Sequence, residues 1–188
     1  MITQYSYGEN VCASTKNNVI ERFKKSCAEE IRADLAPNRT ELVNVFENLD
    51  YNINIGCGIR ANNAFLGKAI YVVGRRKIDR RSSVGCTHYE TVFHADTMEE
   101  VITLLHEQNY TVYAIDNIDS YNPQNIWDVE LPVKTAFIFG NEGDGLSQET
   151  VDMCDGMLYI QQYGSVRSLN VAQAAACAMY EYTRQLHK

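Results

Sequence analysis

Three segments of this 188-residue sequence place glycines beside small polar side chains, a pattern suited to binding a ligand. They are residues 54–60, 139–146 and 160–170. In the second segment, three glycines allow a sharp turn and let a ligand approach the backbone closely, and Glu142 adds an acid among them. On this pattern alone, a plain turn that contains an acid is the alternative.

The other two segments each allow an ordinary structural interpretation. Ser168 and Asn170 precede a helical pattern, where small polar side chains commonly act as caps, and spacing alone favours capping for Ser168. Gly56 and Gly58 precede another helical pattern, but Ala61 stands where the dinucleotide-binding fingerprint has its third glycine. A Rossmann-type nucleotide-binding enzyme is therefore only weakly indicated.

Other function classes lack a signal in the sequence. Walker A, metalloprotease and nucleophile-elbow motifs do not occur. The four histidines and six cysteines lack metal-ligand spacing, so we expect no metal site. The sequence also shows neither a signal-peptide pattern nor a membrane-spanning apolar run, so we expect a cytoplasmic protein without membrane contact.

Positive charge is concentrated in one window of an acidic chain. Residues 60–81 contain seven basic residues and one acid, Asp79, whereas the whole chain has a net charge of −7. This distribution argues against coating nucleic acid through bulk charge and favours holding phosphates at one place. A solvated loop is the equally good alternative on charge patterning alone.

Apolar runs and helical periodicities alternate along the chain. Strands are predicted at residues 42–46, 69–73, 91–94, 111–115, 135–139 and 157–160. Helices are predicted at residues 17–35, 97–108 and 168–186, the second opened by a capping box at Thr97, and residues 54–66 are predicted to be a loop that enters a helix. This alternation predicts an α/β fold with a mostly parallel sheet flanked by helices. Ligands of such folds sit at the carboxyl ends of strands, so chemistry is expected after residues 47, 139 and 160.

Taken together, the three segments resemble the signature motifs of SpoU/TrmH-type RNA 2′-O-ribose methyltransferases of the SPOUT superfamily. Residues 54–60 match N-x-G-x-x-x-R, residues 140–146 match G-N-E-G-x-G-L, and residues 160–170 match I-P-x-x-G-x-x-x-S-L-N. The resemblance runs from about Val43 to Arg184, with the motifs in the family's order. One position departs, because Gln161 replaces a proline that would stiffen the third loop.

The resemblance implies a fold, a cofactor and an assembly. Residues 41–188 would form the methyltransferase domain with a C-terminal deep trefoil knot, and residues 1–40 a helical extension. S-adenosyl-L-methionine would bind in the knot loops, and the protein would be a homodimer with the last helix and the helix of the first motif in its interface. Cofactor contacts are expected from Ala114, Gly140, Asn141, Glu142, Gly143, Ile160, Gln162, Leu169 and Asn170.

The resemblance also implies the catalytic and RNA-binding groups. The catalytic set would be Asn54, Arg60, Glu142, Ser168 and Asn170. Arg60 would either take the proton of the ribose hydroxyl or clamp a substrate phosphate, and the sequence leaves both roles open. RNA contacts are expected from Arg60, Arg75, Arg76, Lys77, Arg80 and Arg81. Transfer RNA is the first expected substrate and ribosomal RNA the second, and a knotted dimer that binds RNA without catalysis is the alternative.

Overall fold

The fold is built on one eight-stranded sheet. A computed structural model describes residues 1–7, 18–48, 53–141, 143 and 145–187. The strands are β1 (Thr3–Gln4), β2 (Val43–Asn48), β3 (Ala69–Gly74), β4 (Val92–Ala95), β5 (Thr111–Ile115), β6 (Gln124–Asn125), β7 (Thr135–Phe139) and β8 (Gly156–Tyr159). Their order across the sheet is β1-β4-β3-β2-β7-β5-β8-β6, and every pairing is parallel except that of β1 with β4.

Helices cover both faces of this sheet. They are α1 (Ala28–Leu35), α2 (Ile53–Ala64), α3 (Met98–Glu107), α4 (Gln148–Asp152) and α5 (Val171–Leu186). On one face, Ile59 of α2 and Met179 of α5 join Phe137 and Phe139 of β7 in a core cluster. On the other face, Val101 of α3 and Val151 of α4 pack in a second cluster, which includes Ala136 and Ile138 of β7. Residues of β7 thus alternate between two cores, and the strand is buried throughout, as its unbroken apolar sequence predicts.

The α/β architecture and its mostly parallel sheet are confirmed, with local differences. The six predicted strands occur within one or two residues of their predicted limits. The predicted helix over residues 17–35 is wrong: its described part contains a short 3-10 turn at Glu21–Phe23, and α1 begins only at Ala28. Cys27 and Glu30 form a capping box that starts α1 there. The division of the chain at residue 40 stays a prediction.

The last helix also begins later than predicted. It starts at Val171, and its N-cap is Asn170, whose Oδ1 accepts a hydrogen bond from the backbone N–H of Ala172 at 2.9 Å. The capping role favoured for Ser168 is therefore wrong, and Ser168 is an exposed loop residue. Among the described helices, none is long and apolar enough to span a bilayer.

Candidate functional site

The carboxyl ends of four parallel strands meet at one edge of the sheet. Phe139 at the end of β7 pairs with Ile115 of β5 and with Phe46 of β2. Ile115 also pairs with Leu158 of β8. The segments that follow these strands therefore emerge side by side, and they include the three motif segments.

The loop after β7 has a shape that glycine dictates. A Cβ at Gly140 would lie 2.4 Å from the carbonyl carbon of Gly145, so no larger residue fits. Gly145 has a φ of +72°, in the left-handed region that favours glycine. Asn141 closes the turn: its Oδ1 accepts from the N–H of Gly143 at 2.8 Å, and its carbonyl accepts from the N–H of Gly145 at 3.2 Å.

An acid that the motif match did not select supports this loop. Oε2 of Glu47, near the end of β2, accepts a hydrogen bond from Nδ2 of Asn141 at 3.3 Å. Glu142, predicted as a catalytic and cofactor-binding residue, lies outside the described residues. The sequence did contain an indication of this role, because Glu47 is the one acid of an otherwise uncharged strand that ends at the ligand-binding edge.

A small cavity of about 80 Å³ lies at the same edge of the sheet, among the segments that follow β5 and β8. It is lined by Ile115, Asp116, Asn117, Ile160, Gln162, Ser168, Leu169 and Ala174. Apolar side chains form part of its wall, and four polar residues complete it. Oε1 of Gln162 is buried and has no hydrogen-bond partner in the described structure. A buried acceptor without a donor is costly, and a bound ligand with an N–H or O–H group would satisfy it.

The predicted cofactor residues differ in their access to this cavity. Ile160, Gln162 and Leu169 line it, but Gly140, Asn141, Gly143 and Asn170 are not part of its lining, and Ala114 is fully buried inside β5. The two residues after that strand, Asp116 and Asn117, line it instead. The contact predicted at this strand end, Ala114, thus lies inside the sheet, and the two residues that face the cavity follow the strand.

Asn170 connects the third segment to the first. Its Nδ2 donates to Oδ1 of Asn54 at 3.1 Å, while its Oδ1 caps α5. Asn54 stands in the first turn of α2, the helix that also holds Arg60. Residues 116 positions apart in the chain are thus joined, and this contact brings two of the motif segments together.

Arg60 is exposed on α2 and makes no hydrogen bond or ion pair within the described residues. Arg60 lies close enough to Cys86 to affect its ionisation. Burial raises the pKa of the Cys86 thiol, and the positive charge of Arg60 opposes that rise. The guanidinium group is therefore available to an anionic ligand on this side of the molecule.

The other five basic residues predicted to contact RNA follow β3 and are all exposed: Arg75, Arg76, Lys77, Arg80 and Arg81. They run into a 3-10 turn at Arg80–Ser83, whose N-cap is Asp79. Nη2 of Arg81 lies 2.6 Å from Oδ2 of Asp79, and this contact lowers the pKa of Asp79 to about 2. Lys68, from the same charged window, instead pairs with Glu41 before β3 begins.

A second, larger groove of about 650 Å³ shares Ile160, Gln162 and Leu169 with the small cavity. Its other lining is largely apolar and includes exposed Trp127, Tyr163, Val166 and Tyr180.

Three alanines of α5, Ala172, Ala175 and Ala178, are buried within the chain itself and so lie in its own core. In the described part of the chain, no group of three or more acidic, histidine or cysteine side chains is placed to hold a metal ion.

A parallel α/β sheet with a glycine-shaped loop and a mixed polar and apolar cavity at its carboxyl edge defines a ligand-binding α/β protein. Residues 41–180 match the model of the SpoU rRNA Methylase family. The chain belongs to this family, as the three motifs indicate.

Individual relatives agree with the family match. The chain is 32% identical over 104 residues to 23S rRNA (guanosine-2′-O-)-methyltransferase RlmB of Neisseria meningitidis serogroup B, covering 55% of this chain and 41% of the relative. The crystal structure of the SpoU methyltransferase AviRb from Streptomyces viridochromogenes, in complex with AdoMet, superposes with a TM-score of 0.70 at 26% identity. That match covers 82% of this chain and 62% of AviRb, so the chain spans less than two thirds of either relative.

A third match concerns the fold alone. The A. aeolicus TrmH/SpoU tRNA modifying enzyme superposes with a TM-score of 0.74 at 23% identity, over 85% of this chain and 84% of that one. The two chains thus share the architecture over most of their lengths.

Proposed function

We propose that the protein transfers a methyl group from S-adenosyl-L-methionine to a ribose 2′-hydroxyl of RNA. The observation that supports this most directly is the hydrogen bond between Asn170 and Asn54, because it joins two of the three motif segments beside the small cavity. The RlmB relative is a guanosine-2′-O-methyltransferase, and the AviRb structure holds AdoMet.

The residues at the sheet edge fit the cofactor. Glycines at positions 140 and 145 allow the tight turn that holds the loop after β7 at this edge, and Gln162 offers a buried acceptor without a donor among the described residues. Backbone around Gly140, Asn141, Glu142 and Gly143 would hold the cofactor, with Ile160, Gln162, Leu169 and Asn170 completing the pocket. Ala114 would support that pocket from inside β5, while Asp116 and Asn117 line it.

The protein's main tasks are then positioning and proton removal. The sulfonium cofactor supplies an activated methyl group, so the hydroxyl must be aligned with it and relieved of its proton. Arg60 would bind a substrate phosphate with two parallel hydrogen bonds and so orient the ribose. We favour this clamp over a role as base because guanidinium groups essentially never lose their proton in proteins. As the ribose oxygen bonds to the methyl carbon, the methyl–sulfur bond would break to leave S-adenosylhomocysteine, and the hydroxyl proton would pass to solvent water.

The remaining predicted catalytic residues would support this arrangement. Asn54, held by Asn170, would orient the ribose or Arg60. Glu142 would hold the loop after β7, and Ser168, exposed at the cavity, would contact the substrate. Arg75, Arg76, Lys77, Arg80 and Arg81 would bind phosphates without reading sequence.

The substrate is proposed to be transfer RNA, following the family resemblance, with ribosomal RNA as the second candidate because the RlmB relative acts on 23S rRNA. Such a substrate would place the activity in the cytoplasm. We also propose that the segment from β7 to α5 forms the trefoil knot of the family. Strand β5 separates β7 from β8, and α5 returns to pack on α2 and β7, which agrees with such threading.

A homodimer is the proposed assembly. The 650 Å³ groove is an apolar surface flanked by α5, and it adjoins the cofactor cavity through three shared residues. A second copy with the same surface would cover it across a twofold axis.

The test is methyl transfer from radiolabelled S-adenosyl-L-methionine to bulk transfer RNA and to ribosomal RNA. Wild type should label one of them at a nucleotide that then resists alkaline cleavage. Arg60→Ala should lower kcat/KM by about 100-fold or more, because phosphate positioning is lost, with cofactor affinity unchanged.

The matched control is Arg22→Ala. It removes an exposed arginine that lies outside the three motif segments, and it should retain activity. Cofactor binding without labelling of any RNA would instead favour the non-catalytic RNA-binding dimer. If the chain does not bind S-adenosyl-L-methionine, the proposed methyl transfer is contradicted.

A further inference from the structure

Two tyrosines near the N-terminus lie beside the basic segment. Strand β1 pairs antiparallel with β4, and the N–H of Tyr5 continues this contact by donating to the carbonyl of Val92 at 2.9 Å. The rings of Tyr5 and Tyr7 stack, with centroids 5.6 Å apart and planes 9° from parallel. Both lie outside residues 41–180, the part that matches the family model.

Each tyrosine ring supports one arginine of the basic segment. The guanidinium carbon of Arg76 lies 5.7 Å from the ring centroid of Tyr5, and that of Arg80 lies 5.1 Å from the centroid of Tyr7. The hydroxyl of Tyr5 also donates to the carbonyl of Arg76 at 2.7 Å. Cation–π contacts at such distances are attractive, so two exposed arginines are restrained while their charge stays accessible.

Histidines complete the support of the tyrosines from the protein side. His94 lies edge-on to Tyr5 at 6.2 Å, and His88 lies edge-on to Tyr7 at 6.4 Å. A ring nitrogen of His88 is 3.1 Å from the carbonyl oxygen of Tyr7. The stacked pair is therefore fixed on the body of the protein.

The basic segment is also docked on the helix that holds Arg60. Oγ of Ser82 donates to the carbonyl of Ile53 at 2.6 Å, and a Cβ at Gly56 would lie 2.1 Å from that Oγ. Gly56 is thus required for close packing of the segment against α2. Restrained arginines and Arg60 consequently belong to one connected unit.

We propose that Tyr5, Tyr7, Arg76 and Arg80, here termed the tyrosine–arginine platform, bind backbone phosphates of the substrate RNA. The arginines make the contacts and the tyrosines are positioning residues. Restraint before binding reduces the entropy lost when a long side chain is immobilised, and arginine binds phosphate bidentately. This inference rests on the proposed function and adds an N-terminal part to its RNA surface.

RNA binding is measured as Kd against salt concentration, using whichever RNA accepts label in the methyl-transfer assay. Removing both charges in Arg76→Ala/Arg80→Ala should weaken binding at least about tenfold and lower the salt slope by about 2. Tyr7→Leu should weaken binding about three- to fivefold with little change in slope, because the charges remain but are no longer restrained.

Two conservative variants separate positioning from damage to the fold. The hydroxyl of Tyr7 is buried without a hydrogen-bond partner among the described residues, so Tyr7→Phe keeps the ring and should retain wild-type Kd. Arg76→Lys/Arg80→Lys keeps the charge at exposed positions and should lose about threefold, since lysine stacks less well on a ring. Cofactor affinity and Tm of each variant report on folding.

Tyr110 provides a matched control. Lys68 and Lys134 each lie 5.8 Å from its ring centroid, so it has the same kind of contact at the amino ends of the strands. Tyr110→Leu should leave the Kd for RNA unchanged.

Unchanged Kd in the arginine variants, with methylation intact, would overturn the platform and leave the proposed function standing. The platform would also be overturned, with the proposed function still standing, if the arginine variants lost affinity for anionic phosphatidylglycerol vesicles but not for RNA. If wild type labels and binds no RNA, the proposed function itself fails.

Discussion

The side-chain amide of Gln162 has an unusual position for a polar group. Its Oε1 is buried without a partner within the described chain, and the residue lines both the small cavity and the larger groove. Of the groups in S-adenosyl-L-methionine, the exocyclic amine of adenine is a neutral donor on a flat ring that suits Ile115, Ile160 and Leu169. We expect this amine to donate to Gln162.

This contact predicts discrimination between two ligands. Wild type should bind S-adenosylhomocysteine about three- to tenfold more tightly than S-inosylhomocysteine, in which an oxygen replaces the amine, because one hydrogen bond to a buried amide is lost. Gln162→Met should remove most of this preference. Calorimetric titration of both ligands measures it, and equal affinities for wild type would exclude the contact.

Motif spacing predicted several residues that line the small cavity or contact one another, but not how each one acts. Asn170 was expected near the cofactor, and its amide both caps α5 and binds Asn54. Ser168 therefore has no capping role and is exposed. Glu47 escaped notice because its partner, Asn141, is 94 positions away. A motif specifies residue types only. The sequence around Glu47 does not show which residue 94 positions away its side chain will contact.

At the scale of elements, a buried ion pair fixes the end of the sheet opposite the site. Arg39 binds Glu90 with two hydrogen bonds, at 3.0 and 2.7 Å, and the side chain of Glu90 is fully buried. Asn62 and Asn63 of α2 each donate to Glu90 at 2.7 Å. The segment before β2, helix α2 and the turn before β4 are thereby joined through one carboxylate.

Removing that charge should destabilise the protein strongly. Glu90→Gln leaves Arg39 without its counter-charge in a site where its side chain is only 11% exposed, and we expect a loss of about 3 kcal/mol in the free energy of unfolding. Chemical denaturation measures it. Glu41→Gln, which breaks the more exposed pair with Lys68, should cost less than about 1 kcal/mol.

Sequence reasoning succeeded for elements with a strong periodic pattern. Strands β5 and β7 match their predicted limits, because both are short runs rich in β-branched and aromatic residues, and β7 is buried throughout. The missed strands, β1 and β6, have two residues each, too few to show alternation. Helix α4 was missed because its five residues complete little more than one turn, although Ser147 caps it.

At the scale of the whole molecule, the larger groove leaves a substantial apolar surface uncovered. Trp127, Tyr163, Val166 and Tyr180 are all more than half exposed and all line it. Apolar patches of this kind commonly mark interaction sites. Tyr180 of α5 lies edge-on to Phe65, which follows the last residue of α2, at 6.1 Å, so these two rings form part of one apolar wall.

The proposed homodimer would cover this wall, which leads to a prediction about mass in solution. Wild type should sediment at twice the 21.3 kDa of one chain, and Trp127→Glu/Tyr180→Glu should dissociate it, because two charges would be buried without partners. Ile20→Glu changes another exposed apolar residue outside the groove and should leave the dimer intact. Since the groove shares Gln162 with the cofactor cavity, dissociation should also weaken cofactor binding. A wild-type chain that sediments as a monomer at micromolar concentration would contradict the assembly, and the apolar wall would then have to face another partner.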